Sequence, residues 1–428
     1  MIQKYDSYTS SGIGWLGDIP SHWDLEKVKW IFRHVTEMAE KNNDHELLSV
    51  YTDIGVKPRK ELEDRGNKAT TTDNYWIVKK GDIVVNKLLA WMGAVGLSNY
   101  DGVTSPAYDV LRAIKDIDTR YYNYIFRSSQ TLSEFKKRSK GIMEMRLRLY
   151  FDELGQILFP IPPKDEQEAI ANFLDKKCES VDNYILKQKE LIELLKEKKS
   201  SLINKAVTKG LDSKVEYKDS GIEWLGEIPK HWEVKKLKYI CQINKNTLGD
   251  KTSPNLEIEY VDIGNVSFEN GIDAIEKYHF KNSPSRARRI AKYGDTIVST
   301  VRTYLKAIAY VDANVSSYVY STGFAILEPK RYFNNRYFTF MIKSDFFTEQ
   351  VNINSKGMSY PAINSTDLGN LFLCFPPKQE QKQIVEYIEK ESSKIDKAIS
   401  HIEDEIKLLQ EYKQSLISSA VTGKIKVV

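Results

Sequence analysis

No run of this 428-residue sequence has the spacing of a catalytic device, and what stands out instead is cations set beside aromatic rings. It contains no HExxH zinc helix, no GxSxG nucleophile turn and no GxGxxG dinucleotide loop. Thr422-Gly423-Lys424 ends like a phosphate loop but lacks the upstream glycine and strand that would build the cradle. Ser105-Pro106-Ala107-Tyr108 only superficially resembles the Asn-Pro-Pro-Tyr segment that holds a flipped adenine. Three cysteines, Cys178, Cys241 and Cys374, without a CxxC pair, indicate neither a zinc site nor a disulfide framework. No catalytic residue, metal site or cofactor site is therefore expected in the chain.

The cations fall in groups. In the first half they are Lys57, Arg59 and Lys60, then Lys87 near Trp91, then Lys140-Gly141 with Arg146 and Arg148. In the second half they are Arg286, Arg288 and Arg289, then Arg302 and Lys306 around Tyr304, then Lys356-Gly357 near Tyr360. Such groups suit phosphate contacts that position a duplex, and arginine can also read base edges in the major groove. Any one group by itself reads as a solvated charge run. Two features favour contact: the groups recur at matching places in both halves, and Lys-Gly stands in the same loop of each.

Positioning them falls to a scaffold that the sequence writes twice, a repeat that fixes the domain count before any fold is assigned. Gly12 to Trp23 (GIGWLGDIPSHW) returns as Gly221 to Trp232 (GIEWLGEIPKHW), nine of twelve positions identical at an offset of 209. Trp15, Leu16, Ile19, Pro20 and Trp23 have the spacing of an anchor that packs on a domain, and His22 and His231 read as hydrogen-bonding residues of that anchor. Runs rich in aromatic and branched residues follow, among them Leu48 to Ile54, Tyr75 to Val78, Asp82 to Lys87 and Tyr108 to Ile114, which predict strands. Asp53-Ile54-Gly55 recurs as Asp262-Ile263-Gly264, and Gly81-Asp82 recurs as Gly294-Asp295. Arg120 to Arg138 and Arg336 to Val351 look helical. The repeat offset drifts along these stretches, so the two halves share a scaffold and differ in their loops.

Each half ends in a heptad run opened by a diproline, Pro162-Pro163-Lys164-Asp165-Glu166-Gln167 and Pro376-Pro377-Lys378-Gln379-Glu380-Gln381. Proline is tolerated at a helix start and acidic residues suit its positive end. The a/d seam of the first run is Ala171, Leu174, Cys178, Val181, Ile185, Gln188, Ile192, Leu195, Lys199, Leu202 and Ala206. Adding 214 gives the second: Val385, Ile388, Ser392, Ile395, Ile399, Ile402, Ile406, Leu409, Lys413, Leu416 and Ala420. Helices from Asp165 to Thr208 and from Gln379 to Thr422 would each be rods of about 65 Å, and an antiparallel pair would give a pseudo-twofold axis. The expected class is α+β: a first globular domain over 1–160, a spacer helix over 161–210, a second domain over 211–374, and a second spacer helix with a tail over 375–428. A composition of 41% hydrophobic and 29% charged residues is that of a globular protein, and a net charge of +4 does not by itself announce nucleic acid. No apolar run reaches membrane-span length and Met1 to Asp18 has no apolar centre, so a cytoplasmic protein without membrane contact is expected.

The duplicated GI-x-WLG-x-IP-x-HW anchors, the diproline-Lys-x-Glu-Gln helix starts and the Leu-Ile-x-x-Ala-Val-Thr helix ends (Leu202 to Thr208, Leu416 to Thr422) together resemble the specificity subunit of type I restriction-modification enzymes. The resemblance covers essentially the whole chain. It implies two target-recognition domains, each reading one half of a split sequence in double-stranded DNA. It also implies a helical spacer that docks two methyltransferase subunits, with restriction subunits joining the complex. The family implies no catalysis in this subunit, S-adenosylmethionine in the partner methyltransferase, and ATP with Mg in the restriction subunit. Two other readings of the residues stay open: a coiled-coil scaffold that binds protein partners, and a self-sufficient methyltransferase, which lacks the cofactor and base-holding motifs.

Overall fold

Both diproline-led segments fold as uninterrupted α-helices, Lys164–Lys209 and Lys378–Val421, in the computed structural model, which describes residues 3–62, 72–142, 147–222 and 225–427. All of the seam positions named above are buried or half-buried, while most of the other faces are exposed, as a heptad repeat demands. The chain divides into two compact units, Met1–Lys189 with Glu403–Val428, and Glu190–Ile402. Each unit therefore holds one globular part, half of the first long helix and half of the second.

Within the first unit the two helix halves run antiparallel, with Lys413 Nζ 2.6 Å from both carboxylate oxygens of Asp182 and Tyr184 Oη donating to Glu405 Oε1 at 3.1 Å. In the second unit the same direction is fixed by Lys199 Nζ, 2.7 and 2.8 Å from the Asp396 oxygens. Asp182 and Lys199 become Asp396 and Lys413 on adding 214, so one ion pair is written twice. Exposed pairs contribute little net stability. Their use here is register: the lysine inside each seam meets its aspartate in one alignment only.

The globular part of the first unit is built on an antiparallel sheet ordered Phe32–Val35, Tyr108–Ala113, Ile83–Asn86, Val95–Leu97. The second repeats that order with Cys241–Ile243, Phe324–Pro329, Thr296–Ser299 and Ile308–Tyr310. Each sheet packs on an amphipathic helix, Thr119–Phe126 through Tyr122, Ile125 and Phe126, and Asn335–Lys343 through Tyr337, Phe338, Met341 and Ile342. The helical stretches expected over Arg120 to Arg138 and Arg336 to Val351 are each two helices, because Ser128 and Ser344 break in as N-caps of Ser129–Arg138 and Asp345–Asn354. The units part company in their insertions. The second has a further four-stranded sheet, ordered Glu276–His279, Glu257–Val261, Val319–Ser321, Ala287–Ile290, where the first has two-stranded ribbons.

The repeated motifs turn out to be one clamp. Glu166 accepts from Trp23 Nε1 at 3.0 Å and pairs with His22 Nε2 at 2.5 Å; Glu380 does the same for Trp232 at 3.2 Å and His231 at 2.7 Å. The neighbouring glutamine is buried. Gln167 donates to Pro162 O at 2.8 Å and accepts from Asp118 N at 3.0 Å, and Gln381 donates to Pro376 O at 2.9 Å and accepts from Asn334 N at 2.8 Å. The diproline-Lys-x-Glu-Gln motif thus ties helix start, anchor and sheet-covering helix together. The far end of a long helix closes the clamp: Tyr121 donates to Val421 O at 2.9 Å and Tyr337 to Val207 O at 3.3 Å. Gly423 and Gly210 then pass against the anchor tryptophans with left-handed backbones, φ +72° and +76°. In the first unit Lys426 N donates to Gln3 O at 2.8 Å.

Candidate nucleic-acid interface

Two turns at the edge of each sheet carry most of the exposed groups of interest. In the first unit the buried strand Ile83–Asn86 ends at Asn86, whose side chain accepts from Leu88 N at 3.0 Å and starts a tight turn. Ala90–Met92 form a single 3-10 turn, closed by Gly93 at φ +96°. A Cβ at Gly93 would lie 3.3 Å from Thr52 O, so the turn presses on the Asp53-Ile54-Gly55 segment. Arg127 fastens the two, donating to Gly93 O and Val95 O at 3.0 and 2.6 Å and to Thr52 O and Asp53 O at 2.9 and 3.1 Å. Burial lowers the pKa of that guanidinium, and the carbonyls hold it in place. A second loop lies alongside: Leu149 N donates to Lys87 O at 2.9 Å, and the Lys140 and Arg148 backbones exchange two bonds of 2.9 Å.

The second unit has the same pair of loops. Thr303–Leu305 is a 3-10 turn set between Arg302 at φ +50° and Lys306 at φ +47°, both in the left-handed region that non-glycine residues avoid. Thr303 is buried, its hydroxyl 3.1 Å from Ser355 Oγ. Ile363 N donates to Thr300 O at 2.9 Å, and Lys356 and Ala362 exchange backbone bonds of 2.8 and 2.9 Å. Gly357, at φ +106°, turns that second loop back on itself. The guanidinium of Arg302 lies 5.2 Å from the ring of Tyr360. Lys306 Nζ is 3.5 Å from Asp345 and 5.8 Å from the Phe268 ring. Lys343, the counterpart of Arg127, donates to Phe268 O, and burial pulls its pKa down to about 8.

Of the residues expected from sequence, Arg302, Tyr304, Lys306, Lys356, Gly357 and Tyr360 come together on these two loops of the second unit, and Lys87, Trp91, Lys140, Gly141 and Arg148 on those of the first. Lys87 turns inward, 3.2 Å from buried Asp109 and donating to Pro106 O at 2.9 Å. Lys140 pairs with Glu153 at 2.6 Å, Lys356 with Asp367 at 3.9 Å, and Lys136 lies 4.9 Å over the Trp91 ring. Lys57, Arg59 and Lys60 sit apart from the turn, on Gly55–Pro58 and the 3-10 turn after it. Lys57 donates to Tyr100 Oη at 3.3 Å and Lys60 pairs with Glu46. Arg286 pairs with Asp262 at 3.2 Å, Arg288 lies 4.6 Å over Phe280, and the Nε of Arg289 is buried with no hydrogen-bond partner among the described residues. Arg146 lies outside the described residues. Sequence reasoning missed Arg127 and the exposed apolar tips Leu88, Leu89, Met92, Ile142, Leu305 and Met358. The signal was present: Ala90-Trp91-Met92 aligns with Thr303-Tyr304-Leu305 at the offset of 213 that relates the adjacent strands.

The turn that feeds each strand differs in charge. In the first unit Arg112 grips Asp82 through two bonds of 2.9 and 2.8 Å. In the second, strand register puts Glu328 where Arg112 stands. Burial of the Asp295 carboxylate, with the Glu328 charge added, raises its pKa from 3.8 to about 6 despite the Lys292 N–H that it accepts. A raised carboxylate pKa means the folded form holds the proton more tightly than the unfolded, so stability falls as pH rises from about 4 to about 6 and stays reduced above. Asp295→Asn is expected to gain of order 1–2 kcal/mol at pH 7.5 and nothing at pH 4, read by thermal melts. A gain of equal size at both pH values would exclude charge as its cause.

No group of three or more His, Cys, Asp or Glu side chains that could hold a metal is found among the described residues, and no helix among them is long and apolar enough to cross a membrane. The family model for the type I restriction modification DNA specificity domain matches twice, over residues 27–196 and 229–408. The chain is 23% identical over 425 residues to the type I restriction enzyme MjaVIII specificity subunit of Methanocaldococcus jannaschii, covering 96% of this chain and 94% of that one. It is 26% identical over 434 residues to the putative MjaX specificity subunit of the same organism, with 96% of each covered. Among solved structures, a chain from the type I R-M system superposes with a TM-score of 0.70 at 13% identity, covering 94% of this chain and 98% of that one. The HsdS subunit of Thermoanaerobacter tengcongensis gives 0.55 at 14% identity, over 95% and 98%.

Proposed function

Because the chain belongs to the family of type I restriction-modification specificity subunits and carries its DNA specificity domain twice, we propose that it is the non-catalytic reader of a bipartite target in double-stranded DNA. The observation that carries this is the same two-loop arrangement in both units, each presenting cations and exposed apolar tips at the edge of the same sheet. Arg59, Arg148, Arg288, Arg289, Arg302 and Lys356 supply phosphate and base-edge contacts, with Lys57, Lys60, Lys140, Arg286 and Lys306 free to exchange weak surface pairings for phosphate. The long helices act as spacer and as docking surface for two methyltransferase subunits, which bind S-adenosylmethionine. Restriction subunits, using ATP and Mg, complete an assembly that works in the cytoplasm. The globular parts correspond to 1–160 and 211–374, and the spacers to 161–210 and 375–428.

Arg302→Ala and Lys356→Ala are each expected to weaken DNA binding by the chain with its methyltransferase and to reduce the slope of log K against log salt by about 1, without changing the melting temperature. A slope unmoved by both substitutions removes these residues from the interface. Profiling methylated adenines in host DNA tests the function itself, which predicts one split motif that disappears on deletion of this chain.

A further inference from the structure

The geometry points to the two 3-10 turns as wedges: Met92 of the first and Tyr304-Leu305 of the second enter the base stack of their respective half-sites and open one step in each. This deepens the proposed DNA reading and rests on it. Both turns join the same two strands of the same sheet, and both present an aromatic residue followed by a long aliphatic one. Met92 is 51% exposed, Tyr304 55% and Leu305 45%, an outward placement that nothing in their own units requires, whereas Trp91 is half-buried against the core, its indole N–H donating to Leu88 O at 3.2 Å, and backs the turn from which Met92 projects. The second turn is held out at a conformational cost, with Arg302 and Lys306 both left-handed; the first closes through Gly93, where that conformation is free of strain.

The surroundings decide what these tips fit. Lys136 stands over Trp91, Arg302 over Tyr360, and exposed Arg148 and Lys356 lie on the companion loops. An apolar tip inside a cationic collar matches a polyanion with an apolar interior, which is a duplex: phosphates meet the collar and the unstacked step receives the tip. A protein partner would have to cover the collar with carboxylates. Enzymes that modify a base must also take it out of the stack, so a side chain filling the opened step would assist the partner that methylates there.

The test uses the full chain with its methyltransferase subunits and a duplex of the methylated motif, carrying 2-aminopurine at each position of a half-site in turn. Binding of the unaltered complex is expected to raise 2-aminopurine fluorescence at least about threefold at one step per half-site. Met92→Ala should abolish the rise in one half-site only, and the double substitution Tyr304→Ala with Leu305→Ala in the other. Affinity should fall less than about tenfold in each, and Tyr304→Phe should keep the rise. Tight binding with no rise at any step overturns the wedge and leaves the DNA reading standing, as does a rise that survives both variants. Loss of methyltransferase association in the variants with unstacking unchanged assigns the tips to protein contact and overturns the proposal. Failure of the unaltered complex to bind the duplex overturns the reading beneath it.

Discussion

Seven residues inserted into both long helices, after Lys189 and after Ile402, are expected to lengthen the gap between the two half-sites by about three base pairs and to leave both half-sites unchanged. A heptad is close to two turns, so the seam stays in phase, and about 10.5 Å of added helix corresponds to roughly three steps of 3.4 Å along B-DNA. Both insertions are needed. Lys413–Asp182 and Lys199–Asp396 lie on opposite sides of the two insertion points, and matched insertions preserve each pair while a single one must break one of them. Five residues in place of seven would turn the following seam away from its partner by about 140°, and little folded protein is expected. Methylated-adenine profiling reads the result, and a gap that does not change after the matched heptads would sink the spacer role of the helices.

Gly423→Ala is expected to lower stability by about 3–4 kcal/mol, against about 1–2 for Gly210→Ala. Both glycines follow a long helix with positive φ, so each alanine meets the same backbone penalty. The difference lies in the neighbours. A Cβ at 423 would fall 2.3 and 2.6 Å from the Pro20 ring and 3.0 Å from Trp23, whereas at 210 the nearest atoms are Glu380 Oε1 at 3.2 Å and Trp232 at 3.3 Å. A proline ring cannot swing away and a glutamate can. Urea midpoints for the two variants test this, and equal shifts would show that backbone conformation alone matters.

The long helices were legible in the sequence almost to the residue, because heptad spacing and diproline starts are local signals that tertiary packing has no reason to override. Their antiparallel direction has no local signal of that kind, and the Asp182/Lys413 and Lys199/Asp396 pairs supply its physical basis. The purpose of the repeated Glu-Gln and His-Trp motifs was not legible, since Glu166 and Trp23 are 143 positions apart and only folding joins them. The candidate interface was legible as a set of loops and less so as a set of side chains. Charge marks Lys87 and Arg302 alike, yet one ammonium turns to Asp109 and the other group stacks on an exposed ring. Exposed Met92 and Leu305 escaped notice because an apolar residue beside a strand reads as core until the turn that ejects it is seen.

The duplicated clamp also bears on origin. Glu166 with Trp23 and Glu380 with Trp232 are one set of contacts written in two stretches of a single chain, so one ancestral unit copied in tandem accounts for both. After the copying, the residues of each clamp stayed fixed by their contacts while the loops at the sheet edges were free to diverge.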